Sequence, residues 1–409
     1  MKKDYAKERW MGYLRKNGAK GIRNKVIVIY TVKCASFVAE EIVRRIDRDD
    51  VELIGFDGCM DSEYGRRMLV SAIRNPNVGG VVAVGLGCEF IEPEKLADVA
   101  KSEGKPSDWL YVQQHNGTEP SIVYGMSCVL RILEELRETP MVEMGFSDLV
   151  VGSSCGGSDY TSGLAGNVLA GKFFDRLLDM GGTGMFEEIT EAIGLVNILS
   201  ERAANDQARE ELIKTYNKGM DYCKAIDHYS ISPGNFAGGL STIEEKSMGA
   251  VQKSGTHPID GVLKVSQTPP HNGLWLVDNV PDPYFMQFGY CNPFDNEGLF
   301  AFTCSGCQLS LFITGRGSVV GGAITPLFKI TGNSTTYANL SGDMDLNAGV
   351  LLSGEATLED LCDTLCDQII EICKGGKTNA EKHGHKEYYI PYKYQEKQAG
   401  AVPRCEQEC

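Results

Sequence analysis

The period of the hydrophobic pattern switches repeatedly along this chain. Residues 26–32 form a β-branched run, the composition of a buried parallel strand. Ser36 then stands where a helix cap belongs, and Phe37, Val38, Ile42, Val43 and Ile46 fall on one face of the helix that follows. Shorter apolar runs at 51–56, 81–84 and 109–113 read as further strands. Helical patterns at 64–74, around 94–102 and at 121–138 alternate with them. This alternation predicts a doubly wound parallel α/β domain over residues 21–145, after a basic segment at 1–20.

The second half repeats the style with different lengths. Residues 149–151 read as a strand, a run of small residues follows, and 164–178 has helical spacing. Strands are expected at 183–189, 261–265, 274–277, 300–303, 310–314 and 327–330. Helices are expected at 195–225, 242–251 and 358–374. We read residues 146–375 as a second α/β domain and 376–409 as a polar tail, frayed or wrapped over a partner.

Composition narrows the function classes. A 42% hydrophobic content supplies a full core, and the net charge of −15 argues against nucleic acid or an anionic membrane as the main partner. No apolar run approaches the roughly 20 residues of a membrane span, and the basic start has no apolar core of a secretory signal. A cytoplasmic protein is expected. In that setting fourteen cysteines are reduced thiols or metal ligands rather than a disulfide framework.

The chemistry concentrates at strand ends, where open α/β sheets bind ligands. The stretch Gly152-Ser-Ser-Cys-Gly-Gly-Ser-Asp159 joins a strand to a helix start, an arrangement that offers free backbone N–H groups to an anion. It lacks the Gly-Lys-Ser/Thr ending of a phosphate loop. Cys34, Cys88 and Cys155 each fall just after a predicted strand, and Cys59 follows a weaker one. Such thiols can converge on iron or an iron–sulfur cluster, or merely fit tight turns. Cys304-Ser-Gly-Cys307 lies in apolar sequence and reads as core. Arg316, between two glycines, can grip a carboxylate or be an exposed turn charge. Asp343, Asp345 and Asn347 suit a hard cation or a cap, and His115 follows a strand.

These residues resemble the altronate/galactarate dehydratase family. The likeness rests on Gly21-Ile-Arg-Asn24, Cys34, Asn75-Pro-Asn-Val78, Leu86-Gly-Cys-Glu89, the Cys-Gly-Gly-Ser-Asp core at 155–159, Glu188 with Glu191, and Ser232-Pro-Gly-Asn235. It continues through Gly238-Gly239, Glu244-Glu-Lys-Ser247, Gln252-Lys-Ser-Gly255, Thr314-Gly-Arg-Gly317 and Asp343-Met-Asp345. It spans about residues 10–375 and implies a hydro-lyase that converts a 2,3-dihydroxy sugar acid such as altronate or galactarate to a 2-keto-3-deoxy acid. The resemblance further implies iron, as Fe2+ or an iron–sulfur cluster, or another divalent metal such as Mn2+. On it we expect Cys34, Cys88 and Cys155 at the metal, and Lys246 or Glu245 in proton transfer. Arg316 is expected on the substrate carboxylate, Asp159 and Asn235 at its hydroxyls, and Ser153, Ser158 and Gln113 in the rest of the substrate site.

Two departures qualify the likeness. Full-length members carry a small N-terminal domain not found here, so a separate small subunit is expected, within a homo-oligomer. The family's Gln-x-x-Gly-Gly-Thr and basic residues become Gln113-Gln-His-Asn-Gly-Thr118 followed by Glu119, which bears on the choice of substrate. The segment around Cys291 also fits poorly. A sulfo-lyase large subunit acting on sulfolactate and a non-catalytic binding subunit are the alternatives. A dinucleotide-dependent oxidoreductase is disfavoured, because no Gly-x-Gly-x-x-Gly follows the first strand.

Overall fold

A computed structural model describes residues 3–283 and 295–392; Cys291, Cys405 and Cys409 lie outside them. The chain divides into two compact units. One comprises Met11–Glu143 with the chain from Tyr388 on, and the other Met1–Trp10 with Met144–Glu387.

The first unit begins with a small antiparallel pair, β1 (Trp10–Leu14) and β2 (Lys20–Gly21). Its main sheet has four parallel strands: β3 (Lys25–Tyr30), β4 (Val51–Gly55), β5 (Val78–Gly85) and β6 (Ser107–Tyr111), in the order β4-β3-β5-β6. All six residues of β3 and all eight of β5 are buried, so apart from Lys25, which pairs with Glu52, these strands carry apolar, aromatic or small residues without alternation. The strand order reverses between β3 and β5, which makes that crevice the natural ligand edge of this unit. A short strand β7 (Met141–Met144) extends the small sheet beside β1.

The second unit is built on a seven-stranded sheet. Its strands are β8 (Val150–Cys155), β9 (Thr183–Phe186), β10 (Gly261–Lys264), β11 (Leu274–Asp278), β12 (Leu309–Thr314), β13 (Leu327–Thr331) and β14 (Leu346–Asn347). They run parallel in the order β10-β11-β9-β8-β12-β13-β14. From β8 the chain builds one side of the sheet, then returns to lay β12 against the other side of β8. The switch point of this sheet therefore lies between β8 and β12.

Three local expectations change. Residues 300–303 are not a strand but part of the helix Asp295–Cys304. Every residue from Glu297 to Cys304 is buried, so this helix has no polar face, and a short all-apolar run does not distinguish strand from buried helix. It lies against β8 so closely that a Cβ on Gly152 would come within 2.5 Å of the Phe302 ring. The long pattern at 195–225 is two helices, Val196–Glu201 and Asp206–Ala225; the Asn205 side chain caps the second by accepting from Ala208 N at 2.9 Å. Past Gly375 the chain does not leave its unit at once. Thr378 caps a short helix, Asn379–His383, and Asp345 accepts from Asn379 N at 2.7 Å.

Candidate functional site

The carboxyl edge of the second sheet at the switch point holds the site. β8 ends at Cys155, and the next two residues are glycines because nothing larger fits. A Cβ on Gly156 would lie 2.1 Å from the Asp295 carboxylate, and Gly157 has φ +58°. The facing loop after β12 is tied to this turn: Gly156 N donates to Ile313 O at 3.0 Å and Arg316 N to Gly157 O at 3.0 Å. Cys155, the two glycines and Arg316 thus share one wall of a cavity of about 610 Å³. Glu191, Lys246, Asn235 and Asp295 line it as well. The helix Asp206–Ala225 adds Tyr222 and Cys223, and the chain beyond it adds Ile226 and His228.

A line of alternating charge runs beneath the cavity. Glu188 accepts from Ser154 Oγ at 3.2 Å and Cys155 N at 3.3 Å, and it pairs with the buried ammonium of Lys253. Lys253 Nζ also lies 3.3 Å from Cys155 Sγ. Glu191 accepts from Lys246 Nζ at 2.6 Å, and Lys246 donates again to Ser230 O. Glu188 has φ +74°, a conformation that costs a non-glycine residue on the order of 1 kcal/mol. The donors on its carboxylate, which include the Cys155 thiol at 3.4 Å, hold it there.

Burial sets the protonation pattern. It pushes the Cys155 thiol well up, and Glu188 adds to the effect. Burial and the Glu188 charge likewise raise Glu191 and Glu187. For both lysines burial alone would lower the ammonium, but the acidic groups around them outweigh it: Lys246 is raised by Glu191, and Lys253 by Cys155 and Glu188. Asp295 has an exposed residue surface, but its carboxylate lies against the Gly156 turn, where it is largely desolvated. That desolvation, with the charges of Glu188 and Glu191, pushes it up to about 7.

This anionic excess fits a metal. One ligand atom each from Cys155, Glu188 and Glu191 lies within 4.8 Å of the others, and Glu191 Oε2 is buried without a hydrogen-bond partner. A buried carboxylate oxygen left unpaired is costly unless a cation takes it. One thiol and two carboxylates form a mixed soft and hard set, suited to a borderline divalent ion.

The residues expected from sequence divide clearly. Cys155, Lys246, Arg316 and Asn235 meet at one cavity. Asn235 spends its side chain locally, accepting from Ser232 N at 2.8 Å and donating to Ser158 O at 2.9 Å, so it shapes the wall. Ser158 contributes that carbonyl, and Ser153 is wholly buried in β8. Asp159 is 3% exposed, and its carboxylate is occupied by Thr161 N, Thr161 Oγ1, Ser162 N and Asn333 Nδ2. These donors make it a buried turn anchor. Glu245 points away from the cavity and caps its own helix, accepting from Ser241 N and Oγ at 2.7 Å. Cys34, Cys88 and Gln113 belong to the first unit, where both cysteines are exposed and Gln113 lies beside Gly87. Within its own unit the neighbours of Cys155 are carboxylates and a lysine. Lys253 and Asp295 had no assigned role from sequence, and Glu188 and Glu191 entered only as part of a motif.

Residues 146–396 match the family described as D-galactarate/Altronate dehydratase, C-terminal, and residues 12–137 match D-galactarate dehydratase/Altronate hydrolase, second domain. Altronate dehydratase of Bacillus subtilis (strain 168) is 32% identical over 93% of this chain and 76% of its own. The (2R)-sulfolactate sulfo-lyase subunit beta of Chromohalobacter salexigens is 31% identical over 94% of this chain and 98% of its own. Galactarate dehydratase (L-threo-forming) of Escherichia coli (strain K12) is 31% identical over 90% and 73%.

Proposed function

Because this chain belongs to the galactarate/altronate dehydratase family and is a carbon–oxygen lyase, we propose that it removes water from a sugar acid at the Cys155 cavity, giving a 2-keto-3-deoxy acid. One observation supports the reading: a three-donor group able to hold a metal, with Cys155 and Glu191 on the wall, lies with an ammonium and an arginine at a single cavity at a sheet switch point.

The proton next to a carboxylate is hard to remove, because the product is a dianion. Arg316 spends one guanidinium N–H on Gly234 O. Among the described residues its other donors have no partner, so they can take the substrate carboxylate and hold part of that charge. Cys155, Glu188 and Glu191 would hold Fe2+ or another divalent ion such as Mn2+, which when bound supplies a Lewis acid for substrate oxygens. Asp295 is our choice of base, since its carboxyl is poised near neutrality above the Gly156 turn. Lys246 is the acid. It stays protonated, and its third N–H, beyond those given to Glu191 and Ser230, can assist departure of the 3-hydroxyl. The enol then tautomerises to the ketone. Tyr222, Ile226 and Ile231 line the cavity and limit water there.

The role of Asp295 predicts a pH dependence. A base works when ionised, so kcat/KM should rise with pH through an acid limb at or below about 7. A cation between Glu188 and Glu191 would relieve their repulsion and shift that limb lower. In Asp295→Asn the limb should vanish along with most of the rate; an unchanged profile would remove Asp295 from the chemistry.

A second reading has its own support. The sulfo-lyase relative is matched over nearly its whole length and is named a subunit, which favours a lyase that acts with a separate small subunit. Incubating metal-loaded protein anaerobically with altronate, galactarate or sulfolactate tests both readings. Formation of 2-keto acid from the sugar acids supports the dehydratase. Release of sulfite from sulfolactate alone would replace it with the sulfo-lyase.

A further inference from the structure

The first unit gathers buried cations at the amino ends of its strands, on the edge of the sheet opposite the switch-point crevice. Lys105, just before β6, donates to Ile73 O and, at 2.9 Å, to Asn75 O. Arg15, just after β1, donates from Nε to Pro76 O at 2.7 Å, from Nη1 to Asn24 Oδ1 at 2.8 Å and from Nη2 to Arg23 O at 3.0 Å. The lysine is 5% exposed and the arginine 7%. Asn75 and Pro76 are consecutive, with Cα atoms about 3.8 Å apart, so one turn holds both cationic heads.

These contacts explain the local fold but leave the charge uncompensated. Lys105 takes up carbonyls at the end of the helix Glu63–Arg74, where a cation is favoured. Carbonyl dipoles offset only part of a buried charge. Among the described residues neither cation has a carboxylate within 4.0 Å. Burial pushes the Lys105 ammonium well down and the Arg15 charge adds to the effect, while burial holds Arg15 down to about 10. Donors are left over as well. An ammonium carries three N–H groups and a guanidinium five, and the contacts above use two and three of them.

Both residues line a cavity of about 440 Å³, and the exposed Lys16 lines it too. The Lys16 chain lies over Gly104, where a Cβ would come within 2.6 Å of its Cδ. Three acids share the lining. Glu103 pairs with Arg74 at 2.9 Å and Glu135 with Arg131 at 2.8 Å, which leaves Glu138 against three cations.

We propose that Arg15, Lys16 and Lys105 bind a small oxyanion, a phosphate or a carboxylate, in this cavity. Its oxygens would accept the remaining N–H groups in charge-assisted hydrogen bonds and provide the negative charge that the buried pair lacks. The volume is that of a small-molecule pocket. The site belongs to the first unit alone and stands independently of the dehydratase reading.

Isothermal titration with inorganic phosphate and with succinate, each against chloride at equal ionic strength, tests it. Arg316→Gln protein is used, which removes the carboxylate grip of the Cys155 cavity. At least one of the two anions should bind once per chain; phosphate alone would identify a phosphoryl ligand, and succinate alone a carboxylate. Adding Lys105→Gln should weaken binding by about tenfold or more, the loss of a charge-assisted hydrogen bond. Lys16→Gln changes an exposed side chain that the fold does not need, and should weaken binding by about twofold to fivefold. Crystals of the wild-type protein soaked in the anion that binds should show it between Lys105 and Arg15, a readout that needs no variant to fold. Binding of neither anion, binding unchanged by both lysine substitutions, or an anion seated elsewhere in the crystal would each overturn the proposal.

Discussion

Lys253→Met is expected to lower stability by about 3–5 kcal/mol, the usual cost of removing one partner from a buried ion pair. Lys253 is 1% exposed and lies between Cys155 Sγ and Glu188. Without it the Glu188 carboxylate keeps only the Ser154 hydroxyl and the Cys155 N–H and thiol, while Glu187 and Glu191 stay nearby. Methionine fills the volume, so the loss reports charge rather than a cavity. Chemical denaturation with and without a divalent cation checks this. Added cation should restore much of the stability of Lys253→Met, because it supplies the missing positive charge, and should help the wild type less. A variant as stable as wild type without added cation would mean that Lys253 does not carry the charge balance of the site.

Lys246→Met should reduce kcat by about 10²–10⁴, the range for losing a positioned proton donor, with a smaller change in KM. Two features assign Lys246 the acid role. Glu191 holds its ammonium above its ordinary value, so at neutral pH it has a proton to give and no lone pair to act as base. Its Nζ lies at the cavity wall, fixed by Glu191 and Ser230. Steady-state kinetics with sugar acids that differ in leaving group give a further readout. A substrate whose leaving group needs no proton should lose much less on the substitution. An equal loss for both would make Lys246 a structural partner of Glu191.

Much of this site was legible in the sequence because strand ends were legible. β-branched runs ending in small residues located β3, β5 and β8, and the fold rule for parallel sheets then put Cys155 and Arg316 at a ligand edge. Two acids expected at the site are engaged in local patterns. Thr242-Ile-Glu-Glu245 is a capping box by spacing: Glu245 N donates to Thr242 Oγ1 at 3.2 Å while the Glu245 carboxylate turns back to Ser241. Asp159-Tyr-Thr-Ser162 is an aspartate turn that consumes its own carboxylate. Both carry acids that look chemical and act locally.

Lys253, Glu188 and Asp295 were illegible for a different reason. Lys253 sits in a short 3-10 turn after an amphipathic helix, where a lysine is ordinarily solvated. The fold packs Gly171 against that turn, where a Cβ would come within 2.0 Å of Gln252 O, and Lys253 is 1% exposed. Glu188 depends on a left-handed backbone that no composition signals. Asp295 opens a helix whose apolar sequence reads as a strand, so its position over Gly156 could not be inferred.

Manganese titration of chelator-stripped protein, followed by electron paramagnetic resonance, tests the Cys155 metal site most directly. The wild type should take up one tightly held ion in the second unit, and both Cys155→Ala and Glu191→Gln should weaken it by about tenfold or more, at least the loss seen when outer-shell partners are removed. Binding unaffected by either substitution would place the ion elsewhere and leave the carboxylates at Glu188 and Glu191 balanced by Lys253 and Lys246 alone.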